Sequence, residues 1–431
     1  MIKPQIRPVH STRKMDSPIG TLFAKASFSE MTMKSKYQNY WDGALRIGPW
    51  LNRRAMAMTL VAALPILLPQ RVRGEDHFDY KYEDYQEESG RIHVQTHGAL
   101  FQIGLNPSVS LHGEFVYDAI SGATPTGGPA PAGSNKVPLA QMDDVRTAGN
   151  LSSAILWGGR HTTTPQLAYS LEGDYESVGL SLNHAIDFNE KNTTLALGLA
   201  YTYDTIMPEF WFGDKEYKNS GDLLVGVTQL IGPNTVFTVN LILGTSQGYL
   251  SDPYKNIRFT GYPDPNTVYV ENRPDHREKQ IGFLSFSHYV TPVKGSAELS
   301  YRLYHDSYGI LSHTVTLSWF QKLGKHVVIS PMFRFVDQSA ADFYAVQLPG
   351  DPSLPPGDVD YVPIPDHYSA DYRLSAMQTF TYGVSATIKI KDRVSLDLAY
   401  KRYDMLGLDN VTSGSAYANA NIFSGGLRIW F

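Results

Sequence analysis

From about residue 76 to the last residue, apolar side chains recur at every second position, and this limits the fold more than any other feature of the chain. TTLALGLAYTY (Thr193–Tyr203) places Leu195, Leu197, Leu199, Tyr201 and Tyr203 on one face of an extended backbone, with Thr194, Ala196, Gly198, Ala200 and Thr202 on the other. VSLDLAYK (Val394–Lys401) separates Val394, Leu396, Leu398 and Tyr400 from Ser395, Asp397, Ala399 and Lys401 in the same way. Successive strand residues point to opposite faces, so each segment reads as a strand with one apolar and one small or polar face. No helix-period segment interrupts them.

The period-two segments give sixteen strands: 76–87, 91–105, 108–120, 145–157, 160–172, 176–188, 193–204, 221–231, 235–248, 278–290, 295–305, 311–321, 326–337, 370–390, 394–404 and 418–431. Their connections alternate between two kinds. Short ones, such as Lys391–Asp392, Leu323–Gly324, Gly158–Gly159 and Asn106–Pro107, carry turn residues. Longer ones are rich in Pro, Gly, Asp and Tyr; the largest, near 121–144, 249–277 and 338–369, read as exposed loops. A soluble sandwich would show evenly spaced turns without two classes. An even strand number, with short turns at one end and long loops at the other, is the pattern of a transmembrane β-barrel. A sheet in lipid must close, because no backbone group can stay unpaired there. Aromatic residues stand at both ends of the strands: Tyr201, Tyr203, Tyr304 and Tyr308 on the loop side, and Trp157, Phe188, Trp319, Phe320, Trp430 and Phe431 on the turn side. This is the placement expected of interfacial girdles. The expected fold is therefore all-β: a closed antiparallel transmembrane barrel of about sixteen strands.

Composition excludes several functions. The formal net charge is −5, so no basic excess points to nucleic acid. Cysteine is absent, which removes disulfides, CxxC zinc sites, covalent haem and cysteine nucleophiles. Near the N-terminus Arg53 and Arg54 precede the apolar stretch Ala55–Pro69, followed by QRVRGED. A basic flank, a short apolar run and small residues beyond it have the layout of a secretory signal. The run is too short to span a bilayer comfortably. Residues 1–30 are unlike an n-region and read as an upstream extension, 31–74 as the signal peptide, and 75–431 as the barrel.

The chain ends IFSGGLRIWF. This segment resembles the C-terminal assembly signal of bacterial outer-membrane β-barrels: Phe431, Ile429, Leu427 and Phe423 match, and Gly425 is a weak position. The resemblance implies passage through the inner membrane by the general secretory route. It also implies insertion by the barrel-assembly machinery, among outer-membrane lipid and lipopolysaccharide. HFDYKYEDYQEESGRIHV, FVYDAISGATPTG and DFNEKNTTLALGLAYTYD further resemble an outer-membrane barrel family catalogued as a domain of unknown function. That family's genes are associated with flavin-transferase, thioredoxin-like and small lipoprotein genes. The resemblance thus implies a periplasmic redox partner, with the barrel as its scaffold.

The inward face should carry the function. Its charged candidates are Glu172, Asp187, Glu298, Arg302, Arg334, Lys389, Asp397, Lys401 and Arg428, set among Gly, Ala, Ser and Thr. Sixteen strands leave room for an aqueous channel unless loops fill it, and mixed-sign charges across a pore select solutes. Two readings stay open: a porin-like channel for small solutes, with loop 338–369 gating or constricting it, or a plugged interior in which these charges pair. No catalytic, metal or cofactor site is expected. Asp351, Asp358, Asp360, Asp366 and Asp371 match no calcium-loop spacing and read as solvated carboxylates. GATPTGGPAPAG lacks the ending of a phosphate loop. A barrel hydrolase would need a site such as a His97–His112 pair on adjacent strands, without a positioned nucleophile in sight.

Overall fold

The computed structural model describes residues 76–207, 215–264 and 267–431. The expected leader, extension and cleavage point lie outside these residues. The first nine strands are β1 (His77–Glu87), β2 (His93–Asn106), β3 (Val109–Pro125), β4 (Leu139–Trp157), β5 (His161–Leu171), β6 (Tyr175–Phe188), β7 (Thr193–Ile206), β8 (Glu216–Gly232) and β9 (Thr235–Gly248). A two-stranded ladder, β10 (Asn256–Ile257) with β11 (Tyr269–Val270), lies in the loop that follows. The wall resumes with β12 (His276–Val290), β13 (Gly295–Asp306), β14 (Leu311–Leu323), β15 (Val327–Gln338), β16 (Met377–Lys391), β17 (Val394–Gly407) and β18 (Asn419–Trp430).

The sixteen wall strands form one closed antiparallel barrel, each paired with its sequence neighbour in the wall, and β1 closes on β18 from His77↔Trp430 to Glu87↔Ala420. Closure leaves no sheet edge, which is what a sheet in hydrocarbon requires. Two prolines stand in mid-wall. The β4–β5 ladder omits Ser153 and Ala154 opposite Thr164 and Pro165, and the β14–β15 ladder omits Trp319 and Phe320 opposite Ser330 and Pro331. Proline has no N–H to donate, and each of the two keeps its pairing on the other side, with Leu182 and Val384.

Register and exposure assign the faces. Leu195, Leu197, Leu199, Tyr201 and Tyr203 of β7 pair in register with Val227, Val225, Leu223, Gly221 and Asn219 of β8. Their exposed members belong to an apolar belt that circles the outer wall. The girdle reading needs correcting at four residues. Tyr304 pairs with inward Ile281, and Tyr308 is buried among loops. Phe320 and Trp430 pair with inward Ser296 and His77. Trp319 does face outward, flat against Gly295, where a Cβ would stand 2.3 Å from its ring.

The best-buried core is a lid at the loop end. Ile257, Phe259, Tyr269, Leu348, Tyr368 and Ala370 pack together, so loops 249–277 and 338–369, expected to be exposed, are in part buried, although residues 355–360 stay exposed. Tyr254 packs on Ile92 and Met142 of the β1–β2 loop and β4. Lys255 Nζ donates to the Pro125 carbonyl at the end of β3, 2.6 Å away. The loop leaving β9 thus reaches strands five to seven places round the ring, across the mouth. Residues 370–376, expected to open a strand, instead belong to this lid and include a 3-10 turn at Tyr372–Leu374; β16 begins at Met377.

Candidate functional site

The nine inward candidates all fall on the face opposite the apolar belt. Arg302 pairs with Phe283 and Thr314, Glu298 with Ser287 and Ser318, and Arg334 with Thr316 and Thr381. Lys389, Asp397, Lys401 and Arg428 continue that face on β16, β17 and β18. Asp187 pairs with Thr194, and Glu172 follows inward Ser170 at the end of β5. Below the lid these side chains do not fill the barrel. Arg302, Arg334, Lys389 and Asp397, together with Glu114 of β3, are exposed although they point inward. Space remains inside the ring, as sixteen strands allow.

The register also separates the signs of charge. Glu114, Asp118, Asp144, Glu172, Asp187, Asp204 and Asp222 face inward from β3 to β8, with Arg146 and Lys218 among them. Arg277, Lys279, Arg302, Lys322, Arg334, Lys389 and Lys401 face inward from β12 to β17, with Glu298, Asp306 and Asp397 among them. β3 and β13 lie eight places apart in the ring of sixteen, hence on opposite walls. An acidic arc thus faces a basic arc, and low-dielectric walls focus the field between them. Several members are locally satisfied. Lys218 pairs with Asp204 at 3.0 Å, Arg146 lies 3.6 Å from both Asp118 and Glu172, and Arg277 pairs with Asp306. Asp187 accepts from Thr194 Oγ1 at 2.7 Å, and Asp397 from Thr387 Oγ1 at 2.5 Å.

Above the lumen, six charges clasp the lid: Asp252, Lys255, Glu271 and Asp371 are buried, and Arg273 and Arg373 are half-buried. Arg273 pairs with Glu271 at 2.5 Å and with Asp371 at 2.8 Å. Arg373 bonds to Asp371 and to Asp252. Lys255 is buried beside them. Three acids and three bases balance, which is how charges become tolerable out of water. Burial raises the Glu271 carboxyl to about 7; Arg273 offsets part of this, while Asp252 and Asp371 add to it. Burial also opposes ionisation of Asp371, but Arg373, then Lys255 and Arg273, hold it well below the usual carboxylate range. Asp371 and Asp351 are thus buried, not solvated as their composition suggested; Asp358, Asp360 and Asp366 are exposed. Sequence spacing could not reveal this clasp, because its members come from loops about 100 residues apart and share no period.

His97 and His112 do not meet. His97 pairs with Tyr117 on the outer face and accepts from or donates to Tyr80 at 2.7 Å, whereas His112 pairs with inward Gln102. Among the described residues no group of three or more His, Cys, Asp or Glu could hold a metal ion.

A closed sixteen-stranded barrel with an apolar outer belt, a polar inner face, short turns at one end and long loops at the other is an outer-membrane β-barrel. The chain belongs to the DUF3570 family, described as proteins of unknown function, whose sequence profile matches residues 54–211 and 209–426. No curated protein matches the sequence. Similar solved structures include the siderophore receptor PirA from Pseudomonas aeruginosa, at 13% identity and a TM-score of 0.40, covering 83% of this chain and 62% of the receptor. CdiB from Acinetobacter baumannii is 9% identical with a TM-score of 0.47, covering 83% of this chain and 61% of CdiB. OmpT of Vibrio cholerae is 10% identical with a TM-score of 0.37, covering 83% of this chain and 97% of OmpT. The chain therefore spans less than two thirds of the PirA receptor, and these similarities speak to the fold alone.

Proposed function

We propose that the protein is a porin-like channel for small solutes, closed at its outer mouth by a folded lid. The observation that carries this reading is the exposure of Glu114, Arg302, Arg334 and Asp397 inside the ring. Charges in a packed interior would be buried and paired; these four keep access to solvent within a wall of small and polar residues. The opposed arcs would then orient charged and dipolar solutes as they pass. Opening would require the lid to move or part of it to separate.

Conductance of the refolded barrel in a planar bilayer tests the reading, measured intact and with the Phe259→Ala change that loosens the lid. Stable steps whose ion selectivity shifts towards cations in Arg302→Glu and towards anions in Asp397→Lys support it. A folded, inserted barrel that passes no current in either lid form overturns it.

A further inference from the structure

The turn-side rim carries a patch of charge that a channel does not need. Lys294 ends the β12–β13 turn, Lys322 and Lys325 flank the β14–β15 turn, and Lys389, Lys391 and Arg393 flank the β16–β17 turn. All six are exposed. One acid stands among them: Asp392, 3.4 Å from Lys389 and fully exposed, a pair that water screens. On the other half of the rim, the turns between β2 and β9 carry only Arg160 and Lys191 against Glu190. The basic residues therefore form a crescent along six adjacent strands.

We propose that this crescent is a docking surface for an acidic soluble protein on the periplasmic side. Short turns face the periplasm in barrels of this class. Two observations choose a protein over other anions. Lys322 and Lys389 lie on the inward face, with Val328 and Ser395 as partners, so these two members of the crescent point towards the pore mouth, while Lys391 pairs with outward Val394. It is also too wide for a small solute. Five strand intervals at about 4.8 Å, tilted by roughly 40°, span about 30 Å, the width of a standard protein interface of about 800 Å² per partner. Concentrated charge of one sign steers an oppositely charged partner and fixes its orientation more than it adds affinity. The arrangement fits transient docking that weakens with salt.

The test uses the intact barrel in nanodiscs of zwitterionic lipid and, as probe, lysozyme whose amines have been succinylated, a folded polyanion. Binding is read by fluorescence anisotropy, so it does not depend on ion flow, and a failure of the channel proposal leaves it interpretable. The wild-type barrel should bind the probe, and affinity should fall at least about tenfold as salt rises from about 50 to 200 mM. The triple change Lys325→Glu, Lys391→Glu and Arg393→Glu should lower affinity at least about tenfold. Arg160→Glu with Lys191→Glu on the opposite half should leave it within about twofold. If the triple variant does not fold, judged by heat-modifiable migration, the single Lys325→Glu change should still weaken binding about threefold. No binding, or equal binding by crescent variants and wild type, overturns the proposal. So does loss of binding when sn-glycerol 3-phosphate, a soluble anionic headgroup analogue, is added at constant ionic strength, since the crescent would then be a headgroup site.

Discussion

Arg428 in the last strand donates two hydrogen bonds of 2.6 Å to Asp79 in the first, Nε to Oδ1 and Nη2 to Oδ2. This fork joins the two strands that meet last, at a rung of the ladder where the two residues are direct partners. Bidentate geometry makes such a pair stronger than an ordinary ion pair, but Arg428 is partly exposed, so solvent screens it. Asp79→Ala or Arg428→Ala should therefore cost about 1 kcal/mol and lower the urea midpoint of the refolded barrel. The exchange Asp79→Arg with Arg428→Asp should recover part of the loss. An unchanged midpoint in both single variants would show that backbone pairing alone closes the seam.

The lid should open without the barrel. Phe259 is 1% exposed and makes edge contacts with Tyr269 and Tyr368. Phe259→Ala removes a ring from a core of few members, at a cost of about 3–5 kcal/mol. The wall does not depend on that core, because its ladder is closed on itself. The chain has no cysteine, so a single cysteine at buried Ala370 reports on the lid. Maleimide labelling there should accelerate at least about tenfold in the Phe259→Ala background, while heat-modifiable migration stays that of a folded barrel. Loss of both would mean that lid and wall fold as one unit.

The same reporter reads the effect of pH. Glu271 titrates near 7 in the closed lid, above its ordinary value of 4.5. Between those values the closed lid holds a proton that an opened lid has released, so closing weakens as pH rises through the window. Asp371 works in the opposite sense, but only below its ordinary 3.8, where protonation would remove a partner of Arg373 and Arg273. Labelling at Ala370→Cys, normalised to the unfolded protein at each pH, should therefore be several-fold faster at about pH 8 than at about pH 5. Glu271→Gln, which stays neutral, should flatten the dependence. A rate that falls with pH would contradict the assignment.

The wall was legible because period two survives wherever one face meets lipid and the other water. Thr193 to Tyr203 show both faces in eleven residues. The lid was not legible, and residues 370–376 show why. Ala370, Tyr372 and Leu374 alternate with Asp371, Arg373 and Ser375, which is the signature of a strand. Here the alternation serves a different packing: the apolar set is buried under loops, and Asp371 with Arg373 enters the clasp. Local pattern reports that two faces differ, not what each face meets. The inner charges could be assigned to a face from parity alone, but their division into opposed arcs depends on ring order, which appears only when β1 meets β18.

The last prediction concerns how that meeting is brought about. Phe423, Leu427 and Ile429 lie on the outward face of β18, with Gly425 between them, and the backbone N–H of Phe431 donates to the Asp76 carbonyl at 3.1 Å. The terminal aromatic thus continues the apolar face by one residue at the turn-side interface, where ring side chains are favoured. In the finished barrel its loss removes one hydrogen bond and one interfacial ring, about 1–2 kcal/mol set against sixteen closed ladders. If Phe431 serves only stability, its deletion should leave assembled barrel nearly undiminished in cells and after refolding in detergent. If it is read during insertion, as its resemblance to an assembly signal implies, deletion should lower the heat-modifiable outer-membrane form several-fold in cells while refolding in detergent proceeds normally. We expect the second outcome, with Phe431→Tyr retaining most of the assembly, because it keeps an amphipathic ring at the interface.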